Sequence, residues 1–285
     1  MLRPMTAPHP PSGPPSADPF AARVPPGGRV ALFVTCLVET FRPSVALASL
    51  SLLEAAGFSV TVPDGQTCCG QPNYNAGDRA GARSFAQAFV ARFEGFDAVV
   101  APSGSCAAMA RIHIPKLLEG SPLAARAHAL GARTFELVQF LHLHAQPDAP
   151  APAPAVRPAV TYHDSCSGLR ELGIKHQPRA LLAGAGIAVS ENAGADTCCG
   201  FGGTFCVKFP AIAERIADDK IGHLERSGAR LVAGGDLGCL LHLAGRIQRL
   251  GGEMRCRHVA ELLAGEPATP AIGEPADPRA PGRAR

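Results

Sequence analysis

No stretch of the 285 residues approaches the roughly 18 consecutive apolar residues of a membrane helix. The first twenty residues, MLRPMTAPHPPSGPPSADPF, are broken by prolines where a secretory leader needs an apolar core. No membrane span is expected, and the expected location is the cytoplasm. Charge of one sign is also lacking: the formal net charge is +3 and no basic block gathers it, so neither nucleic acid nor an anionic membrane is an expected partner. A P-loop, an HExxH pair and a Ser/His/Asp hydrolase elbow are all missing. CCGFGG at 198–203 lacks the G-x-G-x-x-G spacing and an acidic residue placed for a ribose, which argues against a nicotinamide site.

What the sequence does have is a pattern of cysteines. GQTCCGQPNY at 65–74 and ADTCCGFGGT at 195–204 share Thr-Cys-Cys-Gly at an offset of 130. The single cysteines Cys36 and Cys166, each 32 residues before its pair, keep the same offset. Cys106 follows Cys69 by 37 residues and Cys239 follows Cys199 by 40. Eight of the ten cysteines thus form two quartets, Cys36, Cys68, Cys69, Cys106 and Cys166, Cys198, Cys199, Cys239. In a chain expected to stay where thiols remain reduced, this points to metal or redox chemistry ahead of a disulfide framework.

Proline marks the boundaries. Most of the 27 prolines fall in 1–28, 146–158 and 266–285, which read as two disordered Pro/Ala-rich tails and a semi-rigid linker. Two halves remain, 29–145 and 159–265, one quartet in each. Short β-branched runs at 29–35, 58–62 and 97–102, and again at 159–163, 187–190 and 230–234, alternate with helical patterns such as Ala46, Leu50 and Leu53. Gly57, Gly95, Gly186 and Gly228 stand where helices should stop in a left-handed turn. The expected fold is α/β: two pseudo-symmetric βαβ lobes with parallel, Rossmann-like sheets.

In that fold Cys36, Cys106, Cys166 and Cys239 follow strands at the starts of helices, and both CCG triplets lie in strand-to-helix loops. This is the ligand-binding edge of a parallel sheet. Helix N-termini there favour thiolate, and Gly70 and Gly200 let the backbone come close to a cofactor. Each quartet is open to three readings: a structural zinc, an iron–sulfur cluster, or thiols without metal. Adjacent cysteines would close a strained small ring on one ion, whereas a cluster offers separate irons to neighbouring sulfurs.

These motifs resemble the CCG cysteine-rich domain family, whose members bind iron–sulfur clusters in heterodisulfide reductase B subunits and in the iron–sulfur subunits of glycolate and glycerol-3-phosphate oxidation. FVTCLVETFRP, TCCGQPNYNAG, VAPSGSCAAM, TYHDSCSGLRELGIKHQPR, CCGFGGTFCVKFP and GDLGCLLHLAGRI narrow the resemblance to its lactate-utilization branch, and so imply a duplicated CCG domain. The resemblance implies two [4Fe–4S] clusters held by the eight cysteines. It also implies an oxidoreductase subunit that passes electrons from L-lactate or a similar 2-hydroxy acid, together with a ferredoxin-type iron–sulfur subunit and a third lactate-utilization subunit. The wider pattern ends in CxxC and its non-cubane cluster takes five cysteines. Here Ser103 and Asp236 replace the first cysteine of that pair, so four thiolates per lobe remain; that count suits an ordinary [4Fe–4S] cluster and counts against the five-cysteine type unless one of them supplies an oxygen, and the cluster type stays open.

Cys206 reads as a small residue at a helix start or as a fifth ligand, and Cys256 as a core residue of a terminal strand. His163 and Asp164 are candidates for a proton relay, with capping or hydrogen bonding to the ligands as the alternative. Arg170 is a candidate carboxylate clamp, or else forms an exposed helix pair with Glu171. The rival functions are a heterodisulfide or thiol–disulfide reductase subunit, a glycolate or glycerol-3-phosphate oxidation subunit, and a scaffold that metal merely stabilises.

Overall fold

The computed structural model describes residues 23–144, 159–265 and 269–274. Four strands, β1 (Arg29–Leu32), β2 (Ser59–Thr61), β3 (Ala98–Ala101) and β4 (Thr134–Glu136), form a parallel sheet in the order β2-β1-β3-β4. Three more, β5 (Val160–His163), β6 (Leu231–Gly234) and β7 (Arg255–His258), form a second parallel sheet in that order. The helices between strands make every crossover a βαβ unit, as parallel pairing requires. The fold is α/β with the expected duplication.

The repeat extends to the register of the strands. Val30 pairs with Ala98, and Val160 pairs with Leu231. Val99 pairs with Thr134, and Val232 with Cys256, so β7 has its counterpart in β4 and Cys256 stands where the first lobe has Thr134. The run at 187–190 differs from expectation: only Val189 bridges, to Val160. The Asn192 side chain explains it, since its Nδ2 donates to Tyr162 O at 3.1 Å and takes the carbonyl that a longer edge strand would use. Helices do stop at Gly57, Gly186 and Gly228 with positive φ, whereas Gly95 is not among the positive-φ residues.

The lobes share a core. Phe135 and Phe140 of the first half belong to the same buried cluster as Val232, Leu240, Leu243 and Cys256 of the second. The helix Leu137–His144 packs on His176–Gly184 of the other lobe, and Val259–Leu263 packs on Pro43–Ala55, a reciprocal exchange that fits an approximate two-fold. The described parts of the expected tails are packed as well. Val24 is buried and Val24 N donates to His144 Nε2, while Ile272 is buried and bridges Cys256 antiparallel. The rest of both tails and the linker lie outside the described residues. Among the described residues no helix is long and apolar enough to cross a membrane.

Candidate metal centres

Each quartet gathers at the carboxyl edge of its own sheet. Cys36 opens the helix Cys36–Phe41, and Cys106 sits in the first turn of Gly104–Ala108. In the second lobe Cys166 opens Cys166–Arg170, and Cys239 lies in the first turn of Leu237–Arg249. The pairs occupy the loops before Gln71–Asn75 and Phe205–Lys208. Although about 70 residues of chain separate first from last, the thiols touch in one order: Cys36 to Cys68, Cys68 to Cys69, and Cys69 Sγ to Cys106 Sγ at 3.5 Å. The second lobe repeats it as Cys166, Cys198, Cys199, Cys239.

That order concentrates negative charge. The Cys68 thiol is driven down to about 3 by hydrogen bonds from Cys36 and Cys69, and Cys198 to about 2 by Cys166 and Cys199. Their donors Cys36 and Cys166 are pushed up by the same bonds and by burial. Backbone helps: Gly200 N donates to Cys198 Sγ at 3.3 Å, and Phe201 N to Cys199 Sγ at 3.5 Å. Gly70 and Gly200 have φ of 85° and 87°. A Cβ on Gly200 would lie 2.4 Å from Ala213 O, and one on Gly70 would lie 2.9 Å from Phe85 Cβ, so the loops press against the long helices Pro210–Glu225 and Arg79–Phe93.

The other candidates fall in varied places. Cys206 Sγ turns to Gly203 O at 3.3 Å, and Cys256 is fully buried in the core. Ser103 and Asp236 face each other across the lobes, Ser103 Oγ to Asp236 Oδ2 at 3.4 Å, and Asp236 Oδ2 also accepts Ser105 N at 2.9 Å. Those oxygens are thus committed to the junction. Arg170 and Glu171 do not pair: Arg170 donates to Asp196 O at 3.1 Å, while Glu171 meets His113 of the other lobe at 2.6 Å. Asp164 is buried and receives both arms of Arg179 at 2.9 Å.

His163 is buried beside the second quartet, where one of its ring nitrogens and the Sγ atoms of Cys199 and Cys239 all lie within 4.8 Å of one another. Burial drives its pKa down to about 3, with Lys220 adding to the effect. Lys220, which the sequence reading missed, is buried with its Nζ on Gly194 O at 2.6 Å and Ala195 O at 3.2 Å, just before the cysteine pair. A lysine on the apolar stripe of the helix Pro210–Glu225 was the available signal. A cleft where the lobes meet, lined by Gly104, Glu136, Tyr162, Asp164, Ser165 and Gly235, has room for about one water molecule and not for an organic acid.

Two parallel α/β lobes, each with four thiols converging at the carboxyl edge of its sheet, define a duplicated cysteine-rich protein with a candidate metal site in each lobe. The CCG cysteine-rich domain model matches residues 30–111 and 160–244, once per lobe. The chain is 44% identical over 238 residues to lactate utilization protein A of Geobacillus kaustophilus, covering 82% of this chain and 98% of that protein. It is 42% identical over 239 residues to lactate utilization protein A of Exiguobacterium sp., covering 82% and 96%. The chain belongs to the CCG cysteine-rich family, in the branch formed by the lactate utilization A proteins. A solved structure described as a hypothetical protein from Helicobacter pylori shares the fold, with a TM-score of 0.61 at 12% identity, over 88% of this chain and 50% of that one.

Proposed function

We propose that this chain is the iron–sulfur electron-transfer component of an L-lactate-oxidising system, with Cys36, Cys68, Cys69 and Cys106 as ligands of one [4Fe–4S] cluster and Cys166, Cys198, Cys199 and Cys239 as ligands of a second. The observation that carries it is the convergence of two like-ordered thiol quartets at equivalent sheet edges, in a chain whose relatives are named for lactate utilization. The donor set fits such a group: four sulfurs in an unbroken chain of neighbouring contacts, two of them on adjacent residues, with Cys68 and Cys198 held well below the ordinary thiol range and, in the second lobe, amide hydrogens aimed at the paired sulfurs. A bound cluster supplies one-electron transfer, and two of them match the two electrons released when a 2-hydroxy acid becomes a ketone.

The chain's own residues do the rest. Gly70 and Gly200 bring loop backbone against the helix behind it, which fixes the place of the cysteine pair beside each of them. Asp236 joins the two sites: it stands at the N-cap position of the helix that carries Cys239, and its carboxylate accepts the amide next to Cys106 in the other lobe. We assign substrate oxidation to the complex, with a ferredoxin-type iron–sulfur subunit and a third lactate-utilization subunit as partners in the cytoplasm. The purified chain alone is accordingly expected not to turn lactate over. Ser103 and Asp236, bonded to each other, weigh against the heterodisulfide reductase alternative, whose pattern has cysteine there.

The test is anaerobic purification followed by iron and sulfide quantification, visible spectra before and after dithionite, and growth on L-lactate after deletion of the gene. About eight irons and eight sulfides per chain, a bleachable spectrum and loss of growth are expected. Stoichiometric zinc with no colour would overturn the cluster assignment, since zinc is redox-silent. Sustained lactate turnover by the isolated chain with an artificial acceptor would overturn the division of labour.

A further inference from the structure

We propose that the His163 imidazole is a nitrogen donor to the metal centre of the second lobe, at the iron held by Cys199 or Cys239, so that the two centres differ in ligand chemistry. The inference rests on the reading that the quartets hold iron–sulfur centres, and it assigns a ligand that this reading does not contain.

Three observations carry it. First, His163 Nδ1 and Nε2 are both buried without a hydrogen-bond partner among the described residues. A buried polar atom without a partner costs the full desolvation of that atom, so a ring holding two of them calls for something that satisfies one. Second, a ring nitrogen lies with the Cys199 and Cys239 sulfurs inside a 4.8 Å group whose three members are all buried, a donor set of the kind that binds a transition metal. Third, the duplication supplies an internal control. The 130-residue offset that pairs every cysteine through the CCG motifs sets His163 against Phe33, a side chain with no donor atom, buried against Phe89 and Phe93. The first centre is therefore confined to sulfur at that point of its shell.

His242 is the competing histidine. It lies on the same helix as Cys239, its Nε2 is also buried and unpartnered, and that atom would stand 3.3 Å from a Cβ on Gly200. It is absent from the compact group that His163 forms with the two sulfurs. Added to a shell that keeps its four thiolates, a neutral nitrogen donor leaves the charge of the centre unchanged and raises the coordination number of one iron, so the second centre would differ from the first in ligand field and in reduction potential.

The experiment uses the full chain, purified anaerobically with 15N-labelled histidine, and reads nitrogen hyperfine coupling in the reduced state by pulsed electron paramagnetic resonance, with a potentiometric titration alongside. Expected are the coupling of one directly bound histidine nitrogen, its loss in His163→Phe and retention in His242→Met, and two reduction steps of which one moves in His163→Phe and the other stays. His163→Gln serves as the second variant, and the wild-type coupling needs no variant at all. Absence of bound-nitrogen coupling in iron-loaded wild type, weak coupling of a hydrogen bond only, or its loss in His242→Met in place of His163→Phe overturns the proposal. Wild type without iron and sulfide would instead sink the cluster reading. In that event cobalt(II) bound at the same cysteines reads the histidine nitrogen directly, and its absence there overturns the donor assignment independently.

Discussion

The two lobes share thiols and differ in the wall behind them. In the first, Phe33 and Phe89 meet edge to face at 5.3 Å beneath the quartet, with Phe93 completing an aromatic cluster. In the second, the offset puts His163 opposite Phe33. The buried stripe Ala82, Ala86, Phe89, Val90, Phe93 of the helix Arg79–Phe93 corresponds to Ala213, Ala217, Lys220, Ile221, Leu224 of Pro210–Glu225. An apolar pair has become a buried imidazole and a buried ammonium. The duplication has kept what a metal needs, the sulfurs and the left-handed glycine beside each pair, and has varied the polarity around it. On the proposed reading, two centres with matching sulfur ligands can in this way differ in potential and in stability.

The hardest blow to the comparison comes from removing one sulfur per lobe. Cys69→Ser and Cys199→Ser are each expected to lose about half of the bound iron, since on the proposed reading each quartet holds its own four irons, and both are expected to abolish growth on L-lactate. Cys256→Ala, outside both quartets in the core of β7, should keep its iron. Iron assays on the three purified variants check this, and full loss of iron from either single variant would show that the two sites do not load independently.

Next in size is Lys220→Met. The ammonium is buried on two loop carbonyls just ahead of the cysteine pair, and burial lowers its pKa only to about 8, so it remains charged at neutral pH. Removing it leaves Gly194 O and Ala195 O without their donor, at a cost of about 2–3 kcal/mol of stability. Iron should be lost from the second lobe and kept in the first. Denaturant midpoints and iron content of Lys220→Met against Phe89→Leu separate the polar wall from the apolar one.

How much of this was legible in the sequence depends on what kind of contact is involved. The strands, the duplication and the gathering of the thiols follow from short β-branched runs and an offset of 130, because each is a matter of chain order. The loss of the 187–190 strand to Asn192 was hidden, since a side chain displaced a backbone ladder there. So was the Ser103–Asp236 meeting, which joins residues 133 apart in different lobes and leaves no local pattern. His163 was visible as a candidate, but its place within 4.8 Å of the Cys199 and Cys239 sulfurs brings together a strand, a loop and a helix distant in the chain and leaves no local pattern.

A third comparison concerns the end of each sheet, where Glu136 and His258 occupy the same register position, paired with Ala101 and Gly234. Both are buried and both cap the next helix, Glu136 Oε2 accepting Val138 N at 2.7 Å and His258 Nδ1 accepting Ala260 N at 3.2 Å. Burial pushes Glu136 up to about 8 and pushes His258 down. The folded state therefore holds a proton on Glu136 that the unfolded chain releases above its ordinary 4.5, so stability falls as pH rises from about 5 to about 8, by up to about 1.4 kcal/mol per pH unit. His258 acts with the opposite sign, losing stability as pH falls below its ordinary 6.5. Glu136→Gln should flatten the alkaline side of the stability profile and His258→Asn the acid side. Chemical denaturation across pH 5 to 8 reads both, and an unchanged slope in Glu136→Gln would remove the carboxyl from this role.

The smallest expected effect is a change of sign at one position. Thr35 precedes Cys36 with φ of 69°, the one positive-φ residue other than glycine among those described, while its counterpart Ser165 precedes Cys166 at φ −66°. A β-branched residue in the left-handed region carries strain of about 1–2 kcal/mol, and glycine is free of it. Ser165 is unstrained and accepts Gly168 N at 3.3 Å as an N-cap, where glycine is worse by only a few tenths of a kcal/mol. Thr35→Gly should therefore raise stability by about 1 kcal/mol, less whatever the buried methyl contributes, and Ser165→Gly should lower it slightly. Thermal midpoints of the two variants, measured with the metal bound, decide it. Destabilisation by Thr35→Gly would mean that the bound centre needs the Thr35 side chain, and that the two lobes hold their first cysteine by different means.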